Sequence, residues 1–329
     1  MKNLAWYLFI IIIVSACSST KQTARIILLP DTQTYTSAYP SILQSQADWI
    51  RKEAGNIDFV LQQGDLTDHN NDVQWQIVKE AFTKIDHLVP YSLAVGNHDM
   101  GSAPKIFADN RNTDLFNQYF PQSHMSALPG FGGTYEEGKM ENAYYFLETG
   151  KQKWLILTLE FGPRNKIIDW ANKLVAMHPE QTVILNTHAY MYSDSTRQGP
   201  GDSWRAKGYG VGKDEGEEAV NDGEEIWNKL VKLHPNIRFV FSGHVLNSGV
   251  GTLVSINDAG LPVYQMLANY QGGVINSENG GNGNLRILDF DFKKKTIDVK
   301  TFSPHTNKVH TVPGHNFTIK HVLFGAGLK

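Results

Sequence analysis

Asp58-Phe59-Val60-Leu61-Gln62-Gln63-Gly64-Asp65-Leu66-Thr67-Asp68 is the stretch that decides the architecture. Asp58 to Leu61 has the length and apolar content of a short buried strand, and the turn at Gly64 delivers two carboxylates just beyond it. The same grammar recurs along the chain. Arg25 to Leu29 is an apolar strand stopped by Pro30 directly before Asp31-Thr32-Gln33. Tyr91 to Val95 leads into Gly96-Asn97-His98-Asp99, and Thr182 to Leu185 into Asn186-Thr187-His188. Ile237 to Phe241 leads into Gly243-His244-Val245-Leu246. Carboxylate, amide and imidazole groups thus fall at five strand ends, which is where open α/β sheets gather their ligand sites.

Between these strands lie segments with helical periodicity: one from Ser41 through Ile50, Asp72 to Leu88, Lys166 to Met177 and Asp222 to Leu233. Strand alternating with helix predicts parallel pairing through right-handed crossovers. Met100 to Glu141 lacks a period and reads as a long excursion over the site, with a short helix near Thr113 to Tyr119. Ala143 to Leu147 and Trp154 to Leu159 read as a hairpin. Met191 to Val220 is a second long, glycine-rich connection, of the kind that usually forms lids or binding loops. After His244 come four strands without helices: Leu253 to Ile256, Pro262 to Leu267, Leu285 to Phe292 and Thr296 to Phe302. The glycine-rich segment Gly272 to Gly283 is expected to be a mobile loop. The implied fold class is α/β: two stacked mixed β-sheets flanked by helices, one layer mixed and the other largely antiparallel.

The chain has 329 residues, 41% hydrophobic and 19% charged, with a net charge of −3. That suits a folded domain and lacks the basic excess that neutralises a nucleic-acid backbone, which argues against DNA or RNA as partner. Lys2 followed by the apolar run Leu4 to Val14 fits a signal-peptide core and is too short to span a bilayer comfortably. It ends in Val14-Ser15-Ala16-Cys17, and Cys17 is the only cysteine. This resembles a bacterial lipobox, which implies removal of residues 1–16 and lipidation of Cys17. Residues 18–24 then form a tether and 25–329 one domain. The expected location is the cell envelope, held by lipid alone, with Ser18 compatible with an outer membrane and the domain facing the periplasm or the exterior.

The order and wording of the motifs resemble the calcineurin-like metallophosphoesterases, hydrolases built as an αββα sandwich around two divalent metals. The resemblance implies that Asp65, as bridging carboxylate, Asn97, His188 and His244 hold the second metal, a set that suits Zn, Fe or Mn. It assigns Asp31 and Gln33, with Asp65, to the first metal. Here the chain departs from the family pattern: Gln33 stands where that pattern has His, and Leu246 where it has the final His. The remaining oxygen donors favour Mn, Mg or Ca at that site. The resemblance further implies that a hydroxide held between the metals attacks phosphorus, with His98 as acid and Asp68 orienting it. Asp99 reads as a turn residue bonding backbone.

Arg164 is a candidate phosphate clamp, with a surface arginine opening a helix as the equal alternative. Tyr190 and Trp204 are candidate pocket residues, and Asn269-Tyr270-Gln271 is a candidate to face the site. The leading function is hydrolysis of a phosphate mono- or diester. A catalytically weak homologue that binds an envelope glycan or protein is the alternative, motivated by Leu246; a secreted nuclease would require a basic groove. Substrate identity and oligomeric state are not encoded in any motif.

Overall fold

The computed structural model describes residues 21–325, so the expected leader and the expected anchor at Cys17 lie outside the described residues. The chain begins with β1 (Thr23–Leu29), α1 (Gln33–Ala38), α2 (Pro40–Lys52), β2 (Phe59–Gln62), α3 (Asp72–Thr83) and β3 (Tyr91–Leu93). The excursion that follows holds α4 (Asp114–Tyr119), α5 (Gln122–Met125) and β4 (Phe131–Thr134). Next come β5 (Ala143–Thr149), β6 (Gln152–Leu159), α6 (Asn165–Met177), β7 (Thr182–Thr187), α7 (Gly223–Lys229) and β8 (Ile237–Ser242). The chain closes with β9 (Val250–Ile256), β10 (Pro262–Ala268), β11 (Leu285–Asp291), β12 (Thr296–Ser303), β13 (Lys308–Val309) and β14 (Asn316–Lys320).

Two seven-stranded sheets form. The first runs β13-β12-β11-β1-β2-β3 with β14 also beside β12; the second runs β4-β5-β6-β7-β8-β10-β9. Parallel pairing joins β1, β2 and β3 in one sheet and β6, β7, β8 and β10 in the other, as the strand–helix rhythm requires. Both layers are mixed. The helix-free strands do not make an antiparallel layer of their own: β9 and β10 extend the second sheet, while β11 to β14 extend the first.

Period-two alternation explains the layering. On β6, Leu155, Leu157 and Leu159 face outward and pack with Ile167, Leu174 and Val175 of α6 and Ile226 of α7. Trp154 and Ile156 face inward, among Phe239 of β8 and Leu288 and Phe290 of β11. On the other side Ile50 of α2 and Trp75, Val78 and Phe82 of α3 cover the first sheet. Two helix termini follow sequence rules: Pro40 opens α2, and the Asn71 side chain caps α3 by accepting from Gln74 N at 3.1 Å.

Four boundaries differ from the sequence reading. Helix α3 ends at Thr83 instead of Leu88, because the next turn tightens to bonds such as Ile85 N to Phe82 O. Helix α7 ends at Lys229, where Leu230 leaves helical geometry and a short 3₁₀ turn follows. Strand β4 emerges where Gly130-Phe131-Gly132-Gly133 reads as loop. Its glycines let it lie on Tyr144, whose ring a Cβ at Gly132 would approach to 2.3 Å. Strand β14 pairs with β12 at the sheet margin, beyond the last expected strand.

Trp154 joins the layers, its ring centroid 6.1 Å from Phe239 and 5.3 Å from Phe290, with its indole N–H donating to Thr149 Oγ1 at 2.9 Å. Trp154→Ala should therefore destabilise the fold by about 3–5 kcal/mol. Urea unfolding measures it; a loss below about 1 kcal/mol would mean the two sheets are not locked at this residue.

Candidate metal centre

The carboxyl ends of β2, β3, β7 and β8 bring together one carboxylate, one amide and two imidazoles. His188 Nε2 lies 3.2 Å from Asp65 Oδ2, 3.2 Å from Asn97 Oδ1 and 3.0 Å from His244 Nδ1. The other nitrogen of each ring is committed to a backbone carbonyl: His188 Nδ1 to Gln63 O at 2.7 Å and His244 Nε2 to Trp204 O at 2.6 Å. A carbonyl can only accept, so those nitrogens carry the hydrogens and the inner nitrogens are left as lone pairs. Four acceptors then converge with no donor among them. A divalent cation resolves this, and fixing the ligand tautomer through the far nitrogen is how metal-binding imidazoles are prepared. Without a cation, a proton must serve. Burial opposes charge on His188, but Asp65 and Asp31 raise it to about 9. Burial and the neighbouring His188 push His244 down to about 3.

The cluster is tight because glycines let one motif pass against another. A Cβ on Gly96 would sit 2.1 Å from Asp65 Oδ1, and one on Gly243 would sit 2.1 Å from Asp31 Oδ1. Asp65 and His244 themselves hold left-handed backbone, with φ of 50° and 73°, a strained conformation that concentrates at functional sites.

Asp31, at the end of β1, is buried and faces the same region. Its Oδ1 accepts from His244 N at 3.0 Å, and its Oδ2 accepts from Asn269 Nδ2 and Gln271 Nε2, both at 3.1 Å. Burial raises Asp31 to about 7, with the charge of His188 working against and that of Asp65 with the shift. Gln33 opens α1 and is buried, and its Oε1 has no hydrogen-bond partner among the described residues. A buried amide oxygen without a donor is a polar debt that a cation settles. Asp65, Asn97, His188 and His244 therefore fit a divalent cation, with Asp31 buried beside them and Gln33 buried at the start of α1. Leu246 contributes no donor, and Asn247 turns away to Ser193 Oγ at 3.0 Å.

His98 follows Asn97, and its backbone N–H donates to Asp65 Oδ1 at 2.9 Å. Its ring is positioned by Asp68 chiefly through the backbone, with Nδ1 2.9 Å from the Asp68 carbonyl and 3.5 Å from Asp68 Oδ1. Phe107 stacks on the imidazole with centroids 3.9 Å apart. Burial disfavours charge on His98, but Asp65 and the Asp68 bonds raise it to about 9. Asp99 is the turn residue expected, accepting from Leu66 N, Thr67 N and Gly96 N.

Three expected substrate contacts are placed otherwise. Arg164 spends its guanidinium on Glu160, at 2.8 and 2.9 Å, and on Glu218, at 2.8 Å, so carboxylates occupy the donors a phosphate would need. Tyr190 is fully buried and donates to Gln265 Oε1 at 2.7 Å. Trp204 serves through its carbonyl on His244, while its ring stacks on Tyr192. Sequence reasoning passed over Gln63 and Phe107, and also Phe161, whose ring lies 5.8 Å from that of His188 and 5.4 Å from that of His244. The available signal for Phe161 was its place just past β6, level with the other motif residues.

Glu160, next to Phe161, is buried between Arg164 and Arg111, the latter at 3.4 Å. Burial opposes its charge, yet the two guanidiniums hold its carboxyl below the usual glutamate range. A depressed carboxylate stabilises the fold above its unfolded pKa, and that contribution is lost as pH falls through its folded value. Glu160→Gln should lower stability at pH 7 and flatten the loss of stability below pH about 4; parallel wild-type and variant melts across that range would disprove the charge role. Gly243→Ala should displace Asp31 and reduce cation binding at least about tenfold, read by calorimetric titration; unchanged binding would mean the close approach is dispensable.

Comparison with known proteins agrees with this geometry. A sequence model of the calcineurin-like phosphoesterase family matches residues 24–248. The chain is 28% identical over 294 residues to "Uncharacterized protein YvnB" of Bacillus subtilis (strain 168), covering 87% of this chain and 20% of that protein. It therefore spans about a fifth of that relative's length. The fold is similar to that of the purple acid phosphatase PPD1 from yellow lupin (Lupinus luteus) seeds, with a TM-score of 0.54 and 14% identity. That match covers 91% of this chain and 54% of the plant enzyme. With the motifs, the sandwich and the family match in agreement, the chain belongs to the calcineurin-like phosphoesterases, a family of phosphate ester hydrolases.

Proposed function

We propose that the protein hydrolyses a phosphate mono- or diester at the centre formed by Asp31, Gln33, Asp65, Asn97, His188 and His244. The observation that carries this is the convergence of acceptors at His188 Nε2, with both imidazoles locked outward onto carbonyls. Two bound divalent cations supply a nucleophilic hydroxide and neutralise the phosphate oxygens. The chain's own residues do the rest. Asp65 would offer its carboxylate to the cations and, through Oδ1, fixes the backbone of His98. His98 keeps Nδ1–H on the Asp68 carbonyl, which leaves Nε2 as the nitrogen that exchanges a proton with the departing oxygen. Phe107 fixes the plane of that ring, and Phe161 excludes water from the far side of the two ligand imidazoles.

A second reading keeps the fold as a binding module of the envelope, with Leu246 as the sign of a weakened first site. The retained pairing of His98 with Asp68 favours the enzyme, since a binding protein has no use for a positioned acid. The lipobox at Cys17 supports attachment of the domain to the cell envelope by lipid; labelling with radioactive palmitate in cells, lost in Cys17→Ser, would test it.

Two measurements decide the enzymatic reading. After removal of metals, p-nitrophenyl phosphate and bis-p-nitrophenyl phosphate should be hydrolysed only when Mn²⁺, Zn²⁺, Mg²⁺ or Ca²⁺ is returned, and Asp65→Asn should abolish turnover. No turnover with any ion would favour the binding module. His98→Ala should retain its metals yet slow turnover by about 10²–10⁴-fold, with a larger loss on phenyl phosphate than on p-nitrophenyl phosphate. An equal loss on both would reject proton donation to the leaving group.

A further inference from the structure

The family's first-metal site lacks its last imidazole here, and the fold shows what stands beside the gap. Strands β8 and β10 run parallel with Leu267 opposite Ser242. Past that pair β8 gives way to left-handed backbone at His244, and Asn269 N donates instead to Gly249 O at 2.7 Å. The Leu246 side chain turns to the glycine-rich loop, where a Cβ on Gly273 would meet its Cδ1 at 3.2 Å. Gln271, at the root of that loop, is buried and places its amide nitrogen 3.1 Å from Asp31 Oδ2. That contact is an N–H···O hydrogen bond, and it sets the Gln271 carboxamide directly against the Asp31 carboxylate.

The two amides at Asp31 differ in freedom. Asn269 Oδ1 accepts from Gln271 N at 3.1 Å, which fixes its amide with Nδ2 toward Asp31. Gln271 Oε1 has no such tether, so a half-turn of the amide exchanges nitrogen for oxygen at the carboxylate. The segment is held against the first motif by Gly272 N, which donates to Thr34 Oγ1 at 3.2 Å, one residue past Gln33 with its unpartnered Oε1.

We propose that Gln271 replaces the missing imidazole as a ligand of the first cation, with Asn269 as a positioning residue for Asp31. The first site is then made of oxygen only, from Asp31, Gln33, Asp65 and Gln271, and takes a hard cation such as Mn²⁺, while the His188–His244 site takes Zn²⁺ or Fe²⁺. This rests on the metallophosphoesterase reading of the site, and its test reads cation binding instead of turnover.

The experiment is a calorimetric titration of Mn²⁺ into the purified chain preloaded with one equivalent of Zn²⁺. Wild type should bind one Mn²⁺, and Gln271→Ala should bind it at least about tenfold more weakly. Gln271→Glu separates a ligand from a mere hydrogen-bond donor. As a ligand, the added carboxylate tightens Mn²⁺; as a donor only, it repels Asp31 and weakens it. Weaker Mn²⁺ binding in Gln271→Glu, or unchanged binding in Gln271→Ala, overturns the proposal. Mn²⁺ binding that follows the expected order without hydrolysis of any phosphate ester would sustain this assignment while rejecting the enzymatic reading.

Discussion

Four hydrogen-bond acceptors brought to one point without a donor is the constraint on which the rest of this molecule turns. Asp65, Asn97, His188 and His244 cannot be buried together at neutral charge, since each lone pair faces another. The fold holds them there by spending backbone carbonyls on the outer nitrogens, at Gln63 and Trp204, and by accepting left-handed backbone at Asp65 and His244. Glycines at the neighbouring motif positions remove the side chains that would keep the strands apart. The arrangement favours positive charge, and Asp65 and Asp31 accordingly raise His188 above the ordinary imidazole value.

The two halves of the site obey different chemistry. Imidazole dominates around His188, whereas around Asp31 the available groups are carboxylate and carboxamide. With leucine at position 246, the groups near Asp31 are oxygen donors, and such donors favour harder cations. A primary amide also brings a choice that imidazole lacks, because the same group stabilises Asp31 by its nitrogen or a cation by its oxygen.

How much of this was legible in the sequence depended on which atoms did the work. Strand ends and their side chains were readable, because a short apolar run followed by Gly and a polar residue has few structural meanings. Ala143 to Leu147 and Trp154 to Leu159 were correctly paired, and the motif residues fall in one cluster. Strand β4 was hidden by the glycines that allow it to lie on Tyr144, since glycine lowers every strand signal. The carbonyls of Gln63, Asp68 and Trp204 were beyond reach for a deeper reason: every residue has one, so no letter announces it. Arg164 misled because an arginine after a strand end carries no record of its partner, and here Glu160 four residues earlier was that partner.

The position of β1 has a bearing on how the chain folds. This strand lies in the interior of its sheet, between β2 and β11, with Thr23 opposite Asp291. The groups that satisfy Asp31 come from residues 244, 269 and 271. All strands of the second sheet, residues 131–268, lie in sequence between β3 and β11 of the first. The cation cleft is therefore closed by contacts 213 to 240 residues apart in sequence, the kind of long-range closure that slows folding.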